Sequence, residues 1–127
     1  MTPVLVDTSV WVAHFRQANP TLQALLQEDR VTCHPLVILE VACGTPPSPR
    51  QLTLEMLQLL QPCPVATLSE TLALIDLHQL HDSGCGAIDL ALLASVMISP
   101  PTRLWTLDKS LQTLAHRLGV AHVTPPH

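Results

Sequence analysis

Aromatic side chains are nearly missing from this chain, which has no tyrosine, one phenylalanine and two tryptophans in 127 residues. With 47% of its residues hydrophobic, the core must be aliphatic, built from Leu, Val, Ile and Ala. That hydrophobic content, beside only 13% charged residues, excludes a disordered chain. Basic residues are scarce too: six Lys and Arg against ten acids give a net charge of −4, which excludes a broadly basic nucleic-acid surface. No C-x-x-C pair occurs. Cys33, Cys43, Cys63 and Cys85 are widely and irregularly spaced, so the close ligand pairs of structural zinc are lacking and reduced, partly buried thiols are expected. The longest uncharged apolar stretch, Leu90 to Ile98, falls well short of the ~20 residues of a membrane span. The amino terminus lacks the basic start of a signal peptide, so the expected location is the cytoplasm, away from any membrane. No internal repeat or low-complexity tract is visible.

What is present is one chain-length domain, 1–127, organised around Val4-Leu5-Val6-Asp7-Thr8-Ser9. Three consecutive apolar residues predict a buried central strand, because strands covered on both faces lose their alternation. Asp7 then stands at the strand's carboxyl end, the rim where open α/β sheets bind ligands. Ser9 is the expected cap of a helix through Phe15, and Asn19-Pro20 opens another with Leu22, Leu25 and Leu26 as its stripe. Arg30 to His34 is short and β-prone. Pro35 starts a helix through Cys43, stopped by Gly44, that is apolar on nearly every side and should be buried, so the single Glu40 within it needs an explanation.

Ser48 and Pro49 again read as cap and first turn, for a leucine-rich helix through Leu60. Pro62 to Leu68 is the next expected strand, placed near an edge by its prolines. Ser69 should cap a helix from Glu70 to about His81, with His78 and His81 at helical spacing. After the Ser83-Gly84-Cys85-Gly86 turn, Ala87 to Ile98 reads as a second all-round apolar helix carrying Asp89 in its first turn. Arg103 to Thr106 is a strand ending next to Asp108. Lys109 to Leu118 is an amphipathic helix capped by Gly119, Val120 to Val123 a last strand, and 124–127 a loose tail. Strands alternating with helices and few hairpin signals predict an α/β fold, a parallel sheet of four to five strands with helices on both faces. The first strand, 1–7, and the last unit, 87–123, should build an acidic rim.

Asp7, Glu40, Asp89 and Asp108 each have a plain structural role on offer: an Asx-turn for Asp7, caps or the helix dipole for Asp89 and Asp108, and a reach to the surface for Glu40. Together they are harder to dismiss. Four acids in aliphatic segments that pack centrally crowd carboxylates whose like charges raise one another's pKa, and hard divalent cations relieve that crowding. With these four set aside the rest of the chain is neutral, so a polyanion would be held by local cations and the metal.

Val6-Asp7-Thr8-Ser9, Leu39-Glu40-Val41-Ala42-Cys43-Gly44, Ala87-Ile88-Asp89-Leu90-Ala91-Leu92-Leu93-Ala94 and Leu104-Trp105-Thr106-Leu107-Asp108 resemble, in order and spacing, the PIN-domain ribonucleases. The VapC toxins of toxin–antitoxin pairs are the most similar group. The resemblance implies a Rossmann-like PIN fold, Mg²⁺ or Mn²⁺ as cofactor, endonucleolytic cleavage of RNA, a VapB-type antitoxin and a homodimer. It also implies that Asp7, Glu40, Asp89 and Asp108 are metal-binding and catalytic acids, with Ser9 and Thr106 as polar support. An acid sometimes found three residues after the last one is Leu111 here, which leaves Asp108 alone in that role. Metal-assisted phosphodiester hydrolysis suits such residues, because carboxylate-held cations activate water and neutralise phosphate charge.

For RNA contact the candidates are Lys109, Arg16 and Arg103, then Arg50 and Arg117, and only Lys109 can be placed beside an acid. Trp11 and Trp105 are expected in the core rather than stacked on bases. Two other readings stand beside this one. A phosphotransfer domain also uses strand-end acids and Mg²⁺, but Asp7-Thr8-Ser9 lacks a paired D-x-D. A non-catalytic PIN-like interaction module is the other, against which the intact set of acids argues.

Overall fold

The computed structural model describes residues 1–123, so the expected tail at 124–127 lies outside the described residues. The chain begins with strand β1 (Val4–Val6), whose three side chains are wholly buried, followed by helices α1 (Thr8–Arg16) and α2 (Pro20–Gln27). Strand β2 (Val31–Cys33), helices α3 (Pro35–Cys43) and α4 (Arg50–Gln58), and the two-residue strand β3 (Gln61–Pro62) come next. Helices α5 (Leu68–His78) and α6 (Ala87–Met97), strand β4 (Arg103–Trp105) and helix α7 (Lys109–Arg117) complete it.

All pairings are parallel and the strand order is β3-β2-β1-β4, the α/β sheet expected from the alternation of elements. From β1 the chain winds outward through β2 to β3, then crosses back to β4 on the other side of β1. Right-handed crossovers place the outward and returning helices on opposite faces, in keeping with the packing of α1 on α3, α3 on α4 and α5 on α6. The winding reverses between β1 and β4, so a crevice opens where those strands end, at Asp7 and Thr106.

Several boundaries differ from those read in the sequence, each for a local reason. Helix α1 starts two residues early, with Asp7 rather than Ser9 in the cap position, because the Ser9 hydroxyl is engaged elsewhere. Pro49, not Ser48, precedes α4, and no side chain caps it. The strand expected over 62–68 is confined to Gln61–Pro62 at the sheet edge, since Pro64 has no N–H to continue the ladder after Cys63. Helix α5 is capped by Thr67, two residues before Ser69, because Thr67 and Glu70 form a reciprocal capping box. It ends at His78 with Gln79 in the left-handed region, so His81 lies beyond the helix and shares no face with His78. The final strand contracts to one parallel bridge, Leu104 to Ala121.

Both indoles are buried, Trp11 at 4% and Trp105 at 5% exposure, as the aliphatic composition requires of a few large rings. The all-round apolar α3 is less enclosed than expected: Val37 and Val41 are buried but Leu39 is 53% exposed. Cys33 and Cys63 are buried free thiols, and burial pushes Cys33 up to about 11. No helix of the described residues is long and apolar enough to cross a membrane.

A polar clasp ties the two faces of the sheet. The buried His34 ring accepts from Leu36 N through Nδ1, which leaves its Nε2–H to donate to Ser95 Oγ on α6, 3.0 Å away. Ser95 Oγ also accepts from Ala66 N at 3.0 Å and donates to Ala91 O at 2.8 Å. Ser95→Ala orphans two buried donors, and equilibrium urea unfolding should show a loss of about 1–3 kcal/mol for each.

Candidate active site

Asp7 is brought to the crevice by the most deeply buried strand of the sheet and is itself 4% exposed. Its Oδ2 accepts from Thr106 Oγ1 at 2.7 Å and from Ser9 Oγ at 2.8 Å. Each hydroxyl spends its proton on the carboxylate and its lone pair on backbone: Leu107 N donates to Ser9 Oγ and Asp108 N to Thr106 Oγ1, both at 3.0 Å. Asp7 N donates to Trp105 O, and Gln112 Nε2 to Thr106 O. The exits of β1 and β4 are thereby laced together. Asp7 Oδ1 accepts no hydrogen bond among the described residues, which leaves it available to a ligand.

Helix α3 carries Glu40 to the same place, where its Oε1 accepts from Thr8 Oγ1 at 2.6 Å. Thr8 was not singled out in the sequence, although its position beside Asp7 was the signal. Asp89, in the first turn of α6, has its pKa raised, chiefly by burial and next by the charge of Asp7, with further upward pushes from Asp108 and Glu40. Asp89 therefore feels all three other acids, which come from separate parts of the chain. Asp108 does the plain work open to it, capping α7 through Oδ1 to Leu111 N at 2.9 Å. Its Oδ2 accepts no hydrogen bond among the described residues.

One neighbour was missed. A ligand atom from each of Cys85, Asp89 and Asp108 lies within 4.8 Å of the others. The turn over 83–86 was read as flexible connection only, yet Cys85 stands four residues before Asp89, where a loop enters a helix. Burial, with the charge of Asp89, pushes the Cys85 thiol upward. It thus keeps its proton, and the oxygens are left as the natural donors. Carboxylate oxygens crowded enough to raise a pKa suit a hard divalent cation, and Asp7 and Glu40 adjoin the tighter Cys85, Asp89 and Asp108 group from the β1 side.

Of the basic candidates, Lys109 follows Asp108 at the start of α7 and Arg16 is exposed at the end of α1. Arg103 sits at the opposite, amino end of β4. Arg50 donates to Ala42 O and Arg117 to His78 O, away from the acids. A cavity of about 870 Å³ contains none of the four acids but adjoins them through Thr106 and Leu107.

Two curated proteins named Ribonuclease VapC32, from Mycobacterium tuberculosis strains CDC 1551 / Oshkosh and ATCC 25618 / H37Rv, are each 44% identical to this chain over 118 residues, covering 93% of it and 94% of the relative. The chain belongs to the VapC ribonuclease family. No protein-family model matches it. Membership agrees with the PIN-like sheet and with the resemblance carried by the four acidic motifs, and it removes the phosphotransfer alternative. In this VapC chain the acids gather at the switch point of the sheet, where open α/β sheets bind ligands.

The raised pKa has a definite pH consequence. Asp89 holds its proton more tightly folded than unfolded, so protonation stabilises the fold; that contribution is complete below the ordinary carboxylate range and is lost as pH rises through the raised value. In metal-free buffer at neutral pH, Asp89→Asn should melt higher than the parent. The gap should close in acid, and added Mn²⁺ should raise the melting temperature of the parent alone. A variant that melts lower at neutral pH would contradict the crowding.

Proposed function

We propose that this chain is a metal-dependent endoribonuclease, the toxin of a toxin–antitoxin pair. The observation that carries the reading is the convergence of Asp7, Glu40, Asp89 and Asp108 at the sheet's switch point, where Asp89 is destabilised as an anion by burial and then by the charges of the other three. A bound Mg²⁺ or Mn²⁺ supplies charge neutralisation at the phosphate and a more acidic attacking water. Asp7 and Asp89 are the direct ligands in this reading, Asp7 through the oxygen its hydroxyl partners leave free. Glu40, steered by Thr8, orders water or a second ion, and Asp108 closes the cage while holding the start of α7. Ser9 and Thr106 fix the Asp7 carboxylate plane, so their work is orientation. Lys109 and Arg16 meet phosphates flanking the cut. Named for its family, the partner is a VapB-type antitoxin, with the toxin acting in the cytoplasm as a homodimer.

Incubation of the purified protein with total RNA in Mg²⁺, Mn²⁺ or EDTA, followed by sequencing of the cut ends, tests this directly. Discrete cuts in Mg²⁺ or Mn²⁺, lost in EDTA and in Asp7→Asn, are expected. In-line attack by water leaves 5′-phosphate and 3′-hydroxyl ends; 2′,3′-cyclic phosphates would rule the mechanism out. Protein free of any co-purifying inhibitor that leaves RNA intact would favour a non-catalytic module.

Ser9→Ala and Thr106→Val should each lower the cleavage rate by about 10–100-fold, the usual cost of removing a group that orients a metal ligand. Asp7→Asn should cost more than either. Single-turnover rates across a Mn²⁺ titration give the comparison, and equal losses for all three would show that the hydroxyls are not merely orienting.

A further inference from the structure

Arg103 was read as an RNA contact but stands about 10 Å of strand from Thr106, at ~3.3 Å per residue, on the rim opposite the acids. The cavities explain how both ends can serve one ligand. The cavity of about 870 Å³ beside Thr106 and Leu107 and a second of about 610 Å³ share Thr21, Ala121, His122 and Val123 as walls. They therefore adjoin along that wall, and taken together they run past β4 from Thr106 and Leu107, beside the acids, to Arg30 and Arg103 at the far end of the groove.

The two guanidinium groups are held in place without being used up. Arg30 Nε donates to Thr2 O at 2.9 Å, and Arg103 donates through Nη1 to Gly119 O. The acid at this end is Glu28, 3.7 Å from Arg30 and 41% exposed, which offsets one of the two positive charges and leaves a net positive end. Two of the six Lys and Arg of a chain of net charge −4 thus meet at one groove end. Between the ends, Gln17, Asn19, Gln112 and His116 line the wall with donors and acceptors. The groove adjoins the acids at Thr106 and Leu107, is polar along its middle and carries two arginines at its far end. A single RNA strand has that sequence of chemistries, since its unstacked bases offer hydrogen-bonding edges between phosphates.

We propose that this groove holds single-stranded RNA flanking the cut, with a backbone phosphate on Arg30 and Arg103 and base edges against Asn19 and Gln112. The identity of the strand rests on the endoribonuclease reading above. Phosphate on these two side chains gives affinity without sequence preference, and the middle of the groove is where a base would be distinguished.

The test is binding of a short fluorescein-labelled single-stranded RNA in Ca²⁺ over a salt series, for the parent, Arg30→Gln, Arg103→Gln and Ala24→Glu. Ala24 is an exposed α2 residue lining the second cavity, so its replacement adds a negative charge beside the arginines and leaves their bonds in place. Melting curves identify any variant that fails to fold. The slope of log affinity against log salt should shrink by about 0.7 for each arginine removed, the value for one phosphate contact on a single strand. Ala24→Glu should weaken binding of all sequences alike. Unchanged affinity and slope in the folded variants, or no RNA binding by the parent, overturns the groove. Failure of the nuclease reading is seen separately, as RNA left intact by the parent in Mg²⁺ and Mn²⁺ while the salt slopes still differ.

Discussion

Holding four carboxylates together in a partly buried crevice at the carboxyl ends of β1 and β4 is the constraint that the rest of this structure accommodates. Asp89 registers it as a raised pKa, chiefly through burial and next through the charge of Asp7, with smaller pushes from Asp108 and Glu40. The arrangement persists because each acid is anchored by separate means: Asp7 by two hydroxyls, Glu40 by Thr8, Asp89 by the start of α6, and Asp108 by its capping bond to Leu111 N. Those anchors come from elements far apart in sequence, so the site exists only when the sheet has closed. Fold and centre are in this sense one cooperative unit.

The sheet supplies that closure with little material. Its strands are two or three residues long, and most of the buried surface belongs to helices such as α6, whose Leu90, Leu92, Leu93, Ala94, Ser95 and Val96 are all buried. A leucine-rich chain with few aromatics can pack in many ways, and the His34–Ser95–Ala66 clasp selects one of them. It joins the start of α3, the loop before α5 and the middle of α6, fixing the helices that carry Glu40 and Asp89 relative to each other.

Much of this was legible in the sequence, where chemistry and local pattern coincide. Val4 to Asp7 announces a central strand and its rim residue, Asn19-Pro20 a capped helix, and the apolar surroundings of Glu40 and Asp89 their convergence. What escaped depends on tertiary choice. Ser9 is as good a cap as any serine until the sheet brings Thr106 and Leu107 beside it, and its hydroxyl then serves Asp7. Thr67 outcompetes Ser69 because Glu70, three residues on, can answer it with a reciprocal bond. Cys85 acquires meaning only from a turn that sets its sulfur beside Asp89 and Asp108. The strand over 120–123 failed because pairing on one side, at Leu104, gives too few hydrogen bonds to extend it.

The short edge strand β3 has a bearing on how such a chain stays dispersed. Pro62 sits in the strand and Pro64 two residues beyond its end, so this edge has few free N–H groups with which to pair an incoming strand. On the nearby surface Leu68, Leu72 and Leu77 of α5 are exposed. Stickiness here resides in side chains on a helix, where contacts are reversible and shape-selective, and not in open backbone that templates fibrils. At this edge, any contact is therefore made by side chains and not by an open strand that could propagate it.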